Sequence, residues 1–153
     1  MDIQKVIEQL KRHEGLRLCV YDDATGREIK QGSRVQGHPT IGVGRLLTSA
    51  RGLSTIEVEM LLENDIEVVV DELNRNASWW NDLCEPRKAV MVNLCFNLGW
   101  PRLSLFENML DAAKKGNWDR AADELIDSKW FRQVGLRGLE LVEQLRTGKE
   151  VRG

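Results

Sequence analysis

The chain is short of several things, and each shortage closes off a class of protein. It has three cysteines, Cys19, Cys84 and Cys95, with no C-x-x-C pair, and only two histidines. Without clustered metal-type side chains, no structural zinc site is expected. An odd set of thiols instead suits reduced cysteines made in a cytoplasm, with Cys95 buried on a helix. No stretch of about 18 apolar residues occurs, so no segment reads as membrane-spanning. The opening "MDIQKVIEQLKRHE" is charged from its second residue and lacks the pattern of a secretory signal. Neither sign of charge dominates: the formal net charge of -2 gives no basis for binding nucleic acid by bulk attraction. What is present, 42% hydrophobic and 30% charged residues over 153, suits an ordinary globular domain or two small lobes sharing a core.

The periodicity changes along the chain. Ile3, Val6, Ile7 and Leu10 are spaced as one face of a helix over residues 3–12, and Gly15 is a plausible stop. Residues 17–21 alternate, which predicts a strand with Leu18 and Val20 on one half-buried face. "ATGREIKQGSRVQGHP", with three glycines, reads as hairpins or an irregular loop. "TIGVGRLL" predicts a further short strand interrupted at Gly42 and Gly44, where backbone must bend or something must approach closely. Ser54 and Glu57 have capping-box spacing ahead of a long helix striped by Val58, Leu61, Leu62, Ile66, Val69, Val70 and Leu73. Pro86 suits the first turn of a core helix over "RKAVMVNLCFNLG". Ser104 with Glu107 repeats the capping spacing, Asn117 can cap "WDRAADELID", and a last helix runs over 136–146 before Gly148. Trp118 and Trp130, at helical positions, are expected in the core.

The unusual chemistry is in "RHEGLRLCVYDDATG". Glu14 falls at the C-terminal end of the first helix, where the macrodipole disfavours a negative charge. Partial burial would act in the same direction, and a carboxyl that keeps its proton is what a general acid needs. Asp22 or Asp23 follows a strand in a wet, polar turn and should stay ionised. Two carboxyls in such contrasting surroundings form the arrangement that cleaves a glycosidic bond. On spacing alone the alternative is a solvated turn beside an unremarkable glutamate.

The whole string "HEGLRLCVYDD…GHPTIGVGRLLT" resembles the active-site segment of the phage-type lysozymes, the endolysin family related to T4 lysozyme (glycoside hydrolase family 24). "RKAVMVNLCFNLG", "LFENML", "WDRAADELIDSKW" and "LRTG" continue the resemblance in the family's order. It implies an α+β, lysozyme-like fold: a small β-hairpin lobe and a helical lobe joined by a long helix. The front lobe would span about 13–53, with the N-terminal helix packing on the back lobe. The linking helix would cover about 54–75 and the helical lobe about 76–153.

Carried over position by position, the resemblance makes Glu14 the general acid and Asp23, rather than Asp22, the second catalytic carboxylate. Asp22 becomes a solvated neighbour. Thr40 matches the threonine that helps hold the attacking water. Leu46, Phe96 and Asn97 fall at substrate-contacting positions, and Met109 and Glu124 replace two further contact residues. Arg137 aligns with an arginine that pairs with the catalytic glutamate. The implied reaction is hydrolysis of the β-1,4 bond between N-acetylmuramic acid and N-acetylglucosamine in peptidoglycan, without metal or cofactor. It would invert the anomeric centre if the carboxyls leave room for water. The loop between Asp23 and Thr40 is longer than in the T4 pattern, so part of 27–37 could touch peptide or glycan. The implied setting is host lysis by a monomer. It would accumulate in the bacterial cytoplasm and reach the wall only after a holin-type protein opens the membrane. The competing functions are a lytic transglycosylase acting on the same bond and a non-catalytic wall-binding or virion module.

Overall fold

A computed structural model describes residues 1–151. The chain divides into a front unit, Met1–Thr55, and a back unit, Ile56–Gly153. The expected α+β class is what is observed: among the described residues, eight helices accompany one three-stranded antiparallel sheet.

The front unit opens with helix α1 (Ile3–Glu14). Asp2 caps it by accepting the Lys5 N–H at 3.3 Å, and Gly15, at φ +75°, ends it by donating its N–H to Lys11 O at 3.0 Å. The sheet follows as strands β1 (Arg17–Asp22), β2 (Pro39–Gly42) and β3 (Arg45–Leu46) in that order. Two expectations fail here. "TIGVGRLL" is not one interrupted strand but a hairpin, β2 turning into β3 through two glycines with positive φ, Gly42 and Gly44. Leu18 is not half-buried but 84% exposed. The pairing of β1 with β2 slips between Arg17 and Tyr21, and such a bulge breaks the two-residue alternation on which that expectation rested.

The back unit takes in nearly all of helix α2 (Thr55–Asn76), whose lower turns supply Val69 and Leu73 to the core. A 3-10 turn (Ser78–Asp82) leads to α3 (Glu85–Leu98), which buries Val90, Met91, Leu94 and Cys95 and so is the core helix expected. Helices α4 (Trp100–Leu103), α5 (Glu107–Lys114), α6 (Trp118–Ile126), α7 (Lys129–Val134) and α8 (Leu136–Thr147) pack around it. Leucines 73, 94, 103, 125 and 145 are fully buried. Each such side chain contributes about 1.5–3 kcal/mol of transfer free energy. Asn117 caps α6 as expected, accepting the Arg120 N–H at 3.3 Å.

Ser104 does not start α5. It closes α4 instead, its hydroxyl donating back to Pro101 O at 2.9 Å, and Phe106 is the residue before α5. Trp130 is buried as expected, whereas Trp118 is half-buried beneath the Arg87 guanidinium, 3.9 Å above its ring. The same guanidinium donates to Leu145 O and Arg146 O, which satisfies carbonyls at the end of α8. Among the described residues no helix is long and apolar enough to cross a membrane.

Candidate active site

Glu14 is the last residue of α1, the one acid in a final turn that also holds Lys11, Arg12 and His13. The helix-end position expected for it is therefore observed. The burial is not, because Glu14 is exposed. Its side chain lies over the β2–β3 turn, where a Cβ added to Gly44 would stand 3.6 Å from Oε2. The G-V-G turn thus meets both halves of its sequence reading: the backbone bends there, and a carboxyl comes close.

Of the two aspartates, only Asp23 has the open surroundings expected of it. Asp23 is the exposed one, its side chain 43% accessible. Asp22, expected to be solvated, is 3% exposed and is filled with backbone donors. Its Oδ2 accepts the Gln36 N–H at 2.7 Å, and its Oδ1 accepts those of Ala24 and Gly37, both at 2.9 Å. These donors, the Gln36 amide foremost, hold its carboxyl below the usual carboxylate range, outweighing the opposing effect of burial. The Ala24 contact is an Asx turn, a common use of aspartate two residues before a bend. The Gln36 and Gly37 contacts come from the far end of the loop.

Asp23 is tied to one residue in three ways. Its Oδ1 accepts the His38 N–H at 2.6 Å, and its Oδ2 lies 3.4 Å from His38 Nδ1. Its own N–H donates to His38 O at 3.1 Å, which also accepts the Thr40 hydroxyl at 3.0 Å. Thr40, on β2 opposite Tyr21 and Leu46, is 4% exposed. With its proton committed to a carbonyl, its oxygen keeps lone pairs to accept another donor. Leu46 is half-buried on β3. Glu14, Asp23, Thr40 and Leu46 therefore all belong to the front unit.

The other expected contacts lie in the back unit. Phe96 presents an exposed ring on α3, 45% accessible. Next to it, Asn97 Oδ1 accepts the Trp130 indole N–H at 2.7 Å, which fixes its amide. Arg137 donates to Asn93 Oδ1 at 2.7 Å. Met109 and Glu124 line a single cavity of about 700 Å³ together with Phe106 and Trp130. Sequence reasoning assigned nothing to Gly37, His38 or Asn93. The signal for the first two was in view as "GHP" just ahead of Thr40, but apart from the His38 ring beside Asp23 their contacts are made by main-chain atoms and leave no side-chain pattern.

Comparison with known proteins gives the family. Residues 11–146 match the family model for phage lysozyme. "Probable T4-type lysozyme 2" of Dictyostelium discoideum is 24% identical, over 95% of this chain and 96% of its own length. "Probable T4-type lysozyme 1" of the same organism is 22% identical over the same shares. The "Pre-baseplate central spike protein Gp5" of Enterobacteria phage T4 is 26% identical over 92% of this chain, which spans 27% of that larger protein. A family match over so much of the sequence, on a fold of the expected class, means that the chain belongs to the phage lysozyme family and is a lysozyme-type glycoside hydrolase acting on peptidoglycan.

Proposed function

We propose that the chain hydrolyses the β-1,4 bond between N-acetylmuramic acid and N-acetylglucosamine, with Glu14 as general acid and Asp23 and Thr40 holding the water. The observation that carries this reading is the contrast between the two carboxyls. Glu14 stands at the C-terminal end of a helix over a bare turn, and Asp23 accepts the His38 N–H beside the buried Thr40. Glu14 gives its proton to the glycosidic oxygen as the C1–O bond breaks. Water held against Asp23 and the free lone pairs of Thr40 attacks C1 and passes its proton to Asp23, with inversion at C1. Leu46, Phe96 and Asn97 contact the sugars, and the cavity bearing Met109 and Glu124 accepts a further part of the substrate. Arg137 serves as an accessory group. As an endolysin, the monomer lyses its host once a holin-type protein has opened the membrane.

The test is turnover of purified peptidoglycan with product masses. The parent should add one water per bond broken. Glu14→Gln should lose at least about a hundredfold in kcat, within the range for removing a general acid. An anhydro-sugar product would replace hydrolysis by transglycosylation, and full activity in Glu14→Gln would remove Glu14 from the mechanism.

A further inference from the structure

We propose that Asp22 is a positioning residue for the reaction: through the amides of Gln36 and Gly37 it lays His38 against Asp23 and Thr40. The inference rests on the reading of Asp23 as the carboxylate that holds water.

Gln36, Gly37 and His38 present three successive N–H groups to two successive carboxylates. The first two go to Asp22 at 2.7 and 2.9 Å, and the third goes to Asp23 at 2.6 Å. Neighbouring residues leaving a strand point to opposite sides, so Asp22 faces inward and Asp23 outward. One is buried and the other open. Hydrogen bonds to an ionised acceptor are roughly twice as strong as neutral ones. No apolar side chain of the front unit is buried among the described residues, so these bonds have no packed core to share the task of fixing residues 24–38.

Gly37 shows how tightly the two acids are coupled through this segment. A Cβ there would collide with Asp23 Oδ1 and would come within 2.7 Å of Ala24 Cβ. Whatever sets the path of Gly37 therefore sets where the Asp23 carboxylate can stand. The next residue extends the coupling, because His38 O receives both the Asp23 N–H and the Thr40 hydroxyl. Asp22 touches neither the reacting bond nor the water, yet both groups proposed to hold that water hang from the segment it pins.

Asp22→Asn tests this with little change of shape, since the amide keeps one acceptor oxygen but turns an N–H₂ group toward a backbone donor. Exchange of the His38 amide hydrogen should accelerate by about tenfold or more, although its own acceptor, Asp23, is untouched. On purified peptidoglycan, kcat should fall by about tenfold with KM within about twofold, as for a group that orients the reacting atoms. Gly37→Ala, which keeps both amide donors but crowds Asp23, should give the same split. Ser33→Ala removes a different loop contact, the acceptor of the Lys30 N–H at 2.9 Å, and should leave kcat unchanged. Unchanged His38 exchange in Asp22→Asn would overturn the proposal, and so would an equal loss of kcat in Ser33→Ala. Faster His38 exchange in Asp22→Asn, together with full activity in Asp23→Asn, would uphold the coupling and reject Asp23 as the water-holding group.

Discussion

Among the described residues of the back unit, those withdrawn from water are apolar almost without exception, from Val69 through Leu145, with Gln144 the one polar member. In the front unit the two residues most withdrawn are Asp22 and Thr40. Apolar burial is strong and non-directional, so it secures a scaffold while leaving the angle of any one group to packing. Hydrogen bonds to backbone contribute less, about 0.5–1.5 kcal/mol each in net terms, but they fix directions. The helical unit is thus stabilised mainly by area, and the unit bearing Glu14 and Asp23 by geometry. A region of the second kind belongs to the lower end of a protein's local stability range.

The comparison can be strained at its strongest point by cutting into the back core. Leu94→Ala should lower stability to urea by about 2–5 kcal/mol, the range for deleting a buried leucine, while leaving amide protection at Gln36 and His38 intact. Loss of protection at both sites would mean that the front network leans on the apolar core after all.

Acid should separate the units next. Because the Asp22 carboxyl is held below its ordinary value of 3.8 when folded, its stabilising contribution is complete above that value. It is lost as the pH falls further, through the lowered folded value. Pepsin should therefore cut within 24–38 at an increasing rate as the pH falls below about 4, before the helical signal changes. In Asp22→Asn the fast cutting should already be present at pH 4. Simultaneous loss of loop and helices would remove the distinction between the units.

The smallest expected effect concerns thiols. Cys95 is buried, and desolvation together with the nearby Glu72 carboxylate pushes its thiol up to about 11. Cys19 and Cys84 are exposed. Mild alkylation of the native protein should add two labels, with the third appearing only in denaturant. Three labels on the native chain would show that the core around α3 opens readily.

This division of labour also explains which features could be read from the sequence. In the back unit α2 shows an apolar stripe and α3 is apolar on most faces, so both were legible, as were the helix stop at Gly15, the cap at Asn117 and the buried Cys95. Helices α4 and α7 and the 3-10 turn are too short to show a period. The front unit carries its order in main-chain donors, which every residue but proline possesses and no pattern of letters reveals. For that reason the inward aspartate could not be told from the outward one: the amides that decide it lie 14 and 15 residues away across an irregular loop. Glu14 was legible because its position depends only on where α1 stops.

A clamp made from main-chain amides has a consequence for what can be changed in the loop. The side chains of Arg27, Glu28, Lys30, Arg34 and Gln36 are all exposed, and Asp22 is held by backbone rather than by any of them. Exchanging those side chains removes none of the amide donors that hold Asp22 and set the chain path. Residues 27–36 thus form a rim whose exposed side chains stand apart from the clamp, and at Gly37, the next residue, a Cβ would meet Asp23 itself.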